Sequence, residues 1–175
     1  MSHKANSKHL NSKGHVVTNN LKLFSTPQEQ LTSDDYYTPP EFFEQLGLHF
    51  DIDVASPPGG CHWIPAKTYY DQAKDGLTSD WHGLVFMNPP FSHTALWGQK
   101  FVDHGCGVAI VPVTRANWFN QLWQNPDVNF AIPFQNNGTF KFVKNNKRVG
   151  VFMPVIVIGM GQEARQAISK IGFVR

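Results

Sequence analysis

Apolar and polar positions divide this 175-residue chain into two unequal parts. Residues 1–30 hold few apolar side chains among many Asn, Ser and His. From Leu31 onward, short apolar runs alternate with polar connections rich in Pro and Gly, which predicts a folded unit over 31–175 behind a flexible arm over 1–30. Thr38-Pro39-Pro40-Glu41 opens a predicted helix to about Leu46, with Thr38 as cap, proline in the first turn and Gly47 as the stop. Residues 50–55, 67–70, 83–87, 107–113 and 128–134 read as strands, and 152–158 is strongly β-prone. Helices are expected over 92–102, 116–124 and 162–171, and a polar loop over 71–82. Segments 138–143 and 148–153 should pair as a hairpin across Asn145-Asn146. Strands alternating with helical stretches predict an α/β sandwich with a largely parallel sheet, and the hairpin is expected to add an antiparallel edge.

Composition narrows the class. The chain is 41% hydrophobic and 16% charged, as a globular domain is. No apolar run approaches the ~20 residues that span a bilayer. The polar N-terminus lacks the apolar core of a secretory signal, and two cysteines, Cys61 and Cys106, make no disulfide framework, so a cytoplasmic protein is expected. Cys61-His62 has no matching pair at metal spacing, and no metal site is expected. Net charge is +2, but Lys4, Lys8, Lys13 and Lys22 face only Glu29 in the arm, which is therefore +3 while the remainder is −1. Such an arm reads either as a phosphate contact or as a solvated tail.

The candidate chemistry lies at Asn88-Pro89-Pro90-Phe91, directly after the apolar run Gly83-Leu84-Val85-Phe86-Met87. A stiff loop at the carboxyl end of a buried strand is where open α/β sheets bind ligands. An exocyclic aryl amine is a poor nucleophile, because its lone pair is conjugated into the ring. Acceptors for both its N–H groups favour a more pyramidal nitrogen. Asn88 can offer its side-chain carbonyl and Pro89 its backbone carbonyl, the two prolines fix φ, and Phe91 can stack on an extruded base. The plainer reading is a Pro-rich turn capping a strand, with Phe91 in the core.

Five segments in order carry a family resemblance: Asp35-Tyr36-Tyr37-Thr38-Pro39-Pro40 with Phe42-Phe43; Asp51-Ile52-Asp53-Val54-Ala55-Ser56; Asp75-Gly76-Leu77 with Trp81; Asn88-Pro89-Pro90-Phe91-Ser92; and Thr114-Arg115 with Trp118-Phe119, followed by Gly138-Thr139-Phe140-Lys141-Phe142. With these, the chain resembles the phage-type Dam DNA N-6-adenine methyltransferase family over roughly residues 34–161. The resemblance implies a Rossmann-like methyltransferase fold, S-adenosylmethionine as donor and adenine in double-stranded DNA as acceptor. It implies a phage- or prophage-encoded enzyme working in a bacterial host. By position, Asn88, Pro89, Pro90 and Phe91 would form the catalytic loop. Asp53 would face the cofactor, Asp75 its adenine amine with Leu77 and Trp81 packing nearby, and Thr38 and Pro39 its methionine end. Taken alone, Asp53 reads as a strand-end residue and Asp75 as a turn residue in Lys74-Asp75-Gly76. Two positions depart from expectation. Ala55-Ser56-Pro57-Pro58-Gly59-Gly60 replaces the Gly-x-Gly turn of many nucleotide-binding folds, and Thr139 stands where the family pattern commonly carries arginine.

Arg115, Lys141, Lys144, Lys147 and Arg148 are the candidate DNA contacts, with the arm; the alternative for the lysine cluster is a solvated hairpin tip. Methylation of the cytosine amine needs the same loop, although serine is commoner there at the position of Asn88. A protein glutamine or an RNA amine is also compatible with it. A non-catalytic nucleic-acid-binding protein that keeps the fold without the donor is the reading from another class.

Overall fold

A computed structural model describes residues 36–133, 141–151 and 153–172. The arm and the Gly138, Thr139 and Phe140 positions lie outside the described residues. Helix α1 spans Pro40–Leu46, and strand β1, Phe50–Asp53, follows it. Then come β2 (Ala66–Tyr69), β3 (Val85–Met87), a short 3-10 turn (Phe91–His93) and α2 (Thr94–His104). β4 (Gly107–Pro112), α3 (Asn117–Gln124), β5 (Asn129–Ala131), β6 (Lys141–Lys144), β7 (Lys147–Gly150), β8 (Val155–Met160) and α4 (Gln162–Ile168) complete the order.

Six strands form one sheet in the order β2-β1-β3-β4-β8-β5. β2, β1, β3 and β4 run parallel, while β8 is antiparallel to both β4 and β5. The fold is therefore α/β with a mostly parallel sheet, a form compatible with a methyltransferase. Alternation along the strands feeds two cores. Phe50, Phe86, Val108, Ile110 and Val157 pack with α1 and α4, while Ile52, Val85, Met87, Ala109, Val111 and Ile158 pack with α2 and α3. Every residue of β4 is buried, as expected for a central strand covered on both faces.

Two expectations are corrected. Pro39, not Thr38, is the N-cap of α1, and the cap makes no side-chain hydrogen bond. Thr38 lies one residue too early to cap the helix. Gly47 does end the helix, at φ 64° with its N–H on the Phe43 carbonyl. The hairpin β6–β7 forms through Asn145 and Asn146, both in left-handed backbone. It is, however, a separate two-stranded sheet and supplies no edge to the main one. The antiparallel member of the large sheet is β8, which starts only after Pro154 because proline cannot donate to a ladder. The hairpin instead bridges to the segment ahead of α1, where Tyr37 and Val143 exchange both backbone hydrogen bonds at 2.9 and 2.8 Å.

The order β2-β1-β3 creates a switch point. The chain leaves β1 for one neighbour and returns to pair on the other side. Crevices outside the carboxyl ends of such strands bind ligands in open α/β sheets. The register pairs Asp53 of β1 with Phe86 of β3, so Asp53 and Asn88 close the carboxyl ends of adjacent strands.

Candidate active site

A cleft of about 710 Å³ opens at that switch point. Thr38, Asp53, Ser56, Asp75, Leu77 and Asn88 are among its walls, with Pro90 and His93 beside them. Six predicted site residues from four separate stretches of chain thus meet there: Thr38, Asp53, Asp75, Leu77, Asn88 and Pro90. Pro39 is buried as the helix cap and Pro89 is buried beneath the loop. Neither these two nor Trp81 belongs to the cleft wall.

Asn88 is aimed by its own side chain. Its Nδ2 donates to the Tyr36 carbonyl at 2.7 Å. That bond fixes which end of the amide is nitrogen and leaves Oδ1 as the acceptor. The Pro90 carbonyl accepts from the His93 N–H at 3.1 Å, and the Thr94 hydroxyl donates to the Phe91 carbonyl at 3.0 Å. These bonds tie the loop into the start of α2.

Three buried polar groups on the cleft wall lack a hydrogen-bond partner: Thr38 Oγ1, Asp53 Oδ2 and Ser56 Oγ. Leaving such groups unpaired is costly, and native sites of this kind call for an explanation such as a ligand. Asp53 is 2% exposed, and its Oδ1 accepts only a long bond of 3.4 Å from the Ala55 N–H. Burial pushes its carboxyl up to about 6. The neighbouring Ser56 hydroxyl and Ala55 N–H pull the other way, but Ser56 Oγ does not reach hydrogen-bonding geometry.

The loop over 71–82 is held by other means than its sequence advertises. Asp75 sits at φ 47°, and its carboxylate accepts from the Leu77 N–H and the Thr78 hydroxyl, each at 3.0 Å. A Cβ on Gly76 would lie 1.9 Å from the Val54 carbonyl. Gly76 thus brings this loop into close backbone contact with the residue that follows β1. Trp81 packs behind, donating to the Gly76 carbonyl at 2.8 Å and stacking on Trp97. Lys100 of α2 clamps the loop through the Leu77 and Ser79 carbonyls at 2.7 and 2.6 Å. Asp71 also lines the cleft; its carboxylate is lowered by backbone donors, Gly59 foremost.

Phe91 lines a different cavity, of about 420 Å³, with Thr114 and Trp118. His93 belongs to both walls. The Asn-Pro-Pro-Phe loop is therefore a partition, with Asn88 and Pro90 on one side and Phe91 on the other. Arg115 is exposed beside Thr114. On the hairpin, Arg148 pairs with Glu41 at 2.6 Å and the Lys144 ammonium lies 4.3 Å from the centre of the Tyr36 ring. Lys147 is exposed and Lys141 half-buried.

A family model for DNA N-6-adenine-methyltransferase (Dam) matches residues 25–153. The chain belongs to this family. Every residue named on the two cavity walls lies inside the matched span. Membership makes the chain a DNA adenine methyltransferase in kind, with DNA as substrate, and such enzymes generally draw their methyl group from S-adenosylmethionine. No curated protein and no solved structure matches the chain.

Tyr36 and Ser56, which the resembling segments include without a role, and Lys100, which none of them includes, carry parts of the site. Tyr36 acts through its carbonyl, and Asn88 is 52 positions away. A backbone atom used at that distance leaves no sequence signal.

Proposed function

We propose that this protein transfers a methyl group from S-adenosylmethionine to N6 of an adenine flipped out of duplex DNA, on a Rossmann-like methyltransferase fold, within a defined target sequence. One observation carries the reading. Three buried, unpartnered polar groups converge on a cleft that also receives Asn88, at the switch point of the sheet.

These residues fit the donor. A volume of about 710 Å³ falls within the range of small-molecule sites. The Asp53 carboxylate suits hydroxyl or ammonium donors, Thr38 and Ser56 offer hydroxyls, and Leu77, Ile64 and Pro57 supply apolar wall. When bound, S-adenosylmethionine supplies a methyl carbon made electrophilic by its sulfonium. The chain's own work is on the acceptor. Asn88 Oδ1 and the Pro89 carbonyl take the two N–H groups of the amine, drawing its lone pair out of conjugation. Phe91 stacks on the base from the second cavity. Because the acceptors are held before the base arrives, little reorganisation is left for the reaction itself.

Arg115 and Lys147, both exposed, together with half-buried Lys141, are the proposed duplex contacts. Lys144 and Arg148 serve first to seat the hairpin on Tyr36 and Glu41.

The test is transfer of labelled methyl from S-adenosylmethionine to unmethylated DNA, followed by nucleoside digestion. Label in N6-methyladenine is the expected result. Label in N4-methylcytosine would keep the loop chemistry and overturn the base. No label, with no thermal stabilisation by the cofactor, would return the chain to a binding role.

A further inference from the structure

Leu96, Val113 and Met153 are large apolar side chains exposed by 62%, 39% and 44%. All three line the cavity of about 420 Å³ that holds Phe91 and Trp118. They come from three places in the chain: the first turn of α2, the residue after β4, and the connection before β8. Three scattered stretches have thus placed exposed apolar groups around one opening. Isolated exposed leucines need no explanation, but a gathered set rimmed by polar groups marks a contact surface.

We infer that this rim is the face that meets duplex DNA, and that Leu96 inserts into the base stack where the target adenine has left it. The inference rests on the reading above and assigns it a surface. Two features select this occupant. The rim is continuous with the Asn-Pro-Pro-Phe loop through Phe91, and it shares His93 with the cleft that Asn88 lines on the other side of that loop. Its neighbours carry positive or neutral polar character, Arg115 beside Thr114 and His93 on the shared wall, which matches a phosphate-bearing partner. Apolar wedges placed between base steps are an established way of holding an unstacked duplex. Leu96 is the most exposed of the three and stands on a helix, so its position is set by a rigid element. Its companions Val113 and Met153 would cover the edges of the opened step.

An abasic duplex has already lost the stacked base, so a wedge enters it without the unstacking cost. Anisotropy measurements should compare labelled intact duplex with the same duplex carrying one abasic site, at fixed salt. The full chain should bind the abasic duplex about tenfold more tightly. Leu96→Ala should bind both duplexes alike, with affinity for intact DNA changed less than about twofold, and Leu96→Met should keep the preference. Leu96 is exposed, so neither substitution removes core packing. A wild-type protein without the preference, or a Leu96→Ala variant that retains it, would overturn the wedge. Methyl transfer by the same samples separates the two ideas. Preference without label leaves the wedge standing and removes the methyltransferase reading; label without preference does the reverse.

Discussion

Asn88 owes its aim to a carbonyl that belongs to Tyr36. Replacing Asn88 with Ala removes the oriented acceptor while leaving the cleft wall mostly intact. Turnover should fall by at least about a hundredfold, as for loss of one preorganised polar group in other sites, while cofactor binding measured by thermal shift stays within a few-fold. Retained turnover would remove Asn88 from the chemistry. Asp53 makes a different prediction. Its folded-state carboxyl is raised to about 6 by burial, above the unfolded value near ~3.9. The folded state therefore holds the proton more tightly. This residue's stabilising contribution is present at low pH and is lost as pH rises from about 4 to 6. Asp53→Asn should remove that decline, leaving the variant more stable than wild type at pH 7.5 by an amount on the order of 2 kcal/mol and little different at pH 4. The same substitution should weaken S-adenosylmethionine binding and abolish its improvement between pH 5 and 7. A wild-type stability curve as flat as that of the variant would show that folding does not raise the Asp53 carboxyl.

At the scale of elements, the loop over 71–82 is a fitted part. Gly76 touches the end of β1 where a methyl group has no room, because the atom in the way is backbone. Gly76→Ala should cost at least about 2 kcal/mol in denaturant unfolding, or displace the loop and weaken cofactor binding. A neutral result would mean that β1 and the loop are less closely apposed. Lys100 joins this loop to the helix that follows the Asn-Pro-Pro-Phe loop. Lys100→Met keeps the stem and drops both carbonyl bonds. Cofactor affinity should fall several-fold by thermal shift, with α2 still folded by circular dichroism. The helix and strand periods made these elements legible: β4 as a buried run, the hairpin from Asn145-Asn146, the stop at Gly47. The loop over 71–82 was legible as polar, with Asp75, Leu77 and Trp81 as expected cofactor contacts, but its fit against Val54, Trp97 and Lys100 was not, since those partners lie elsewhere in the chain.

For the whole molecule, charge governs the encounter with DNA. The net charge is only +2, so distribution matters more than total. Lys141→Gln and Lys147→Gln together should lower duplex affinity uniformly across sequences and reduce the slope of log affinity against log salt by about two. Arg148→Gln should instead act on stability through Glu41, and only weakly, because an exposed ion pair contributes about 0–1 kcal/mol. An unchanged salt slope in the double variant would make the hairpin tip plain solvated surface. No helix among the described residues is long and apolar enough to cross a membrane.

The order of apolar runs and turn residues determined by itself that this chain builds an α/β sheet and that a proline-stiffened loop follows a buried strand. Those are local matters of period, propensity and fixed φ, and they are written in consecutive residues. Which strands become neighbours was decided only by tertiary structure. Pairing β1 with β3 brings Asp53 beside Asn88, although 35 positions separate them. Inserting β8 between β4 and β5 leaves the hairpin free to hold Tyr36. Burial did the rest: Thr38, Asp53 and Ser56 are ordinary polar residues until the fold removes their water and gives them no partner. Desolvation and strand order are properties of the packed chain, and no run of adjacent residues contains them.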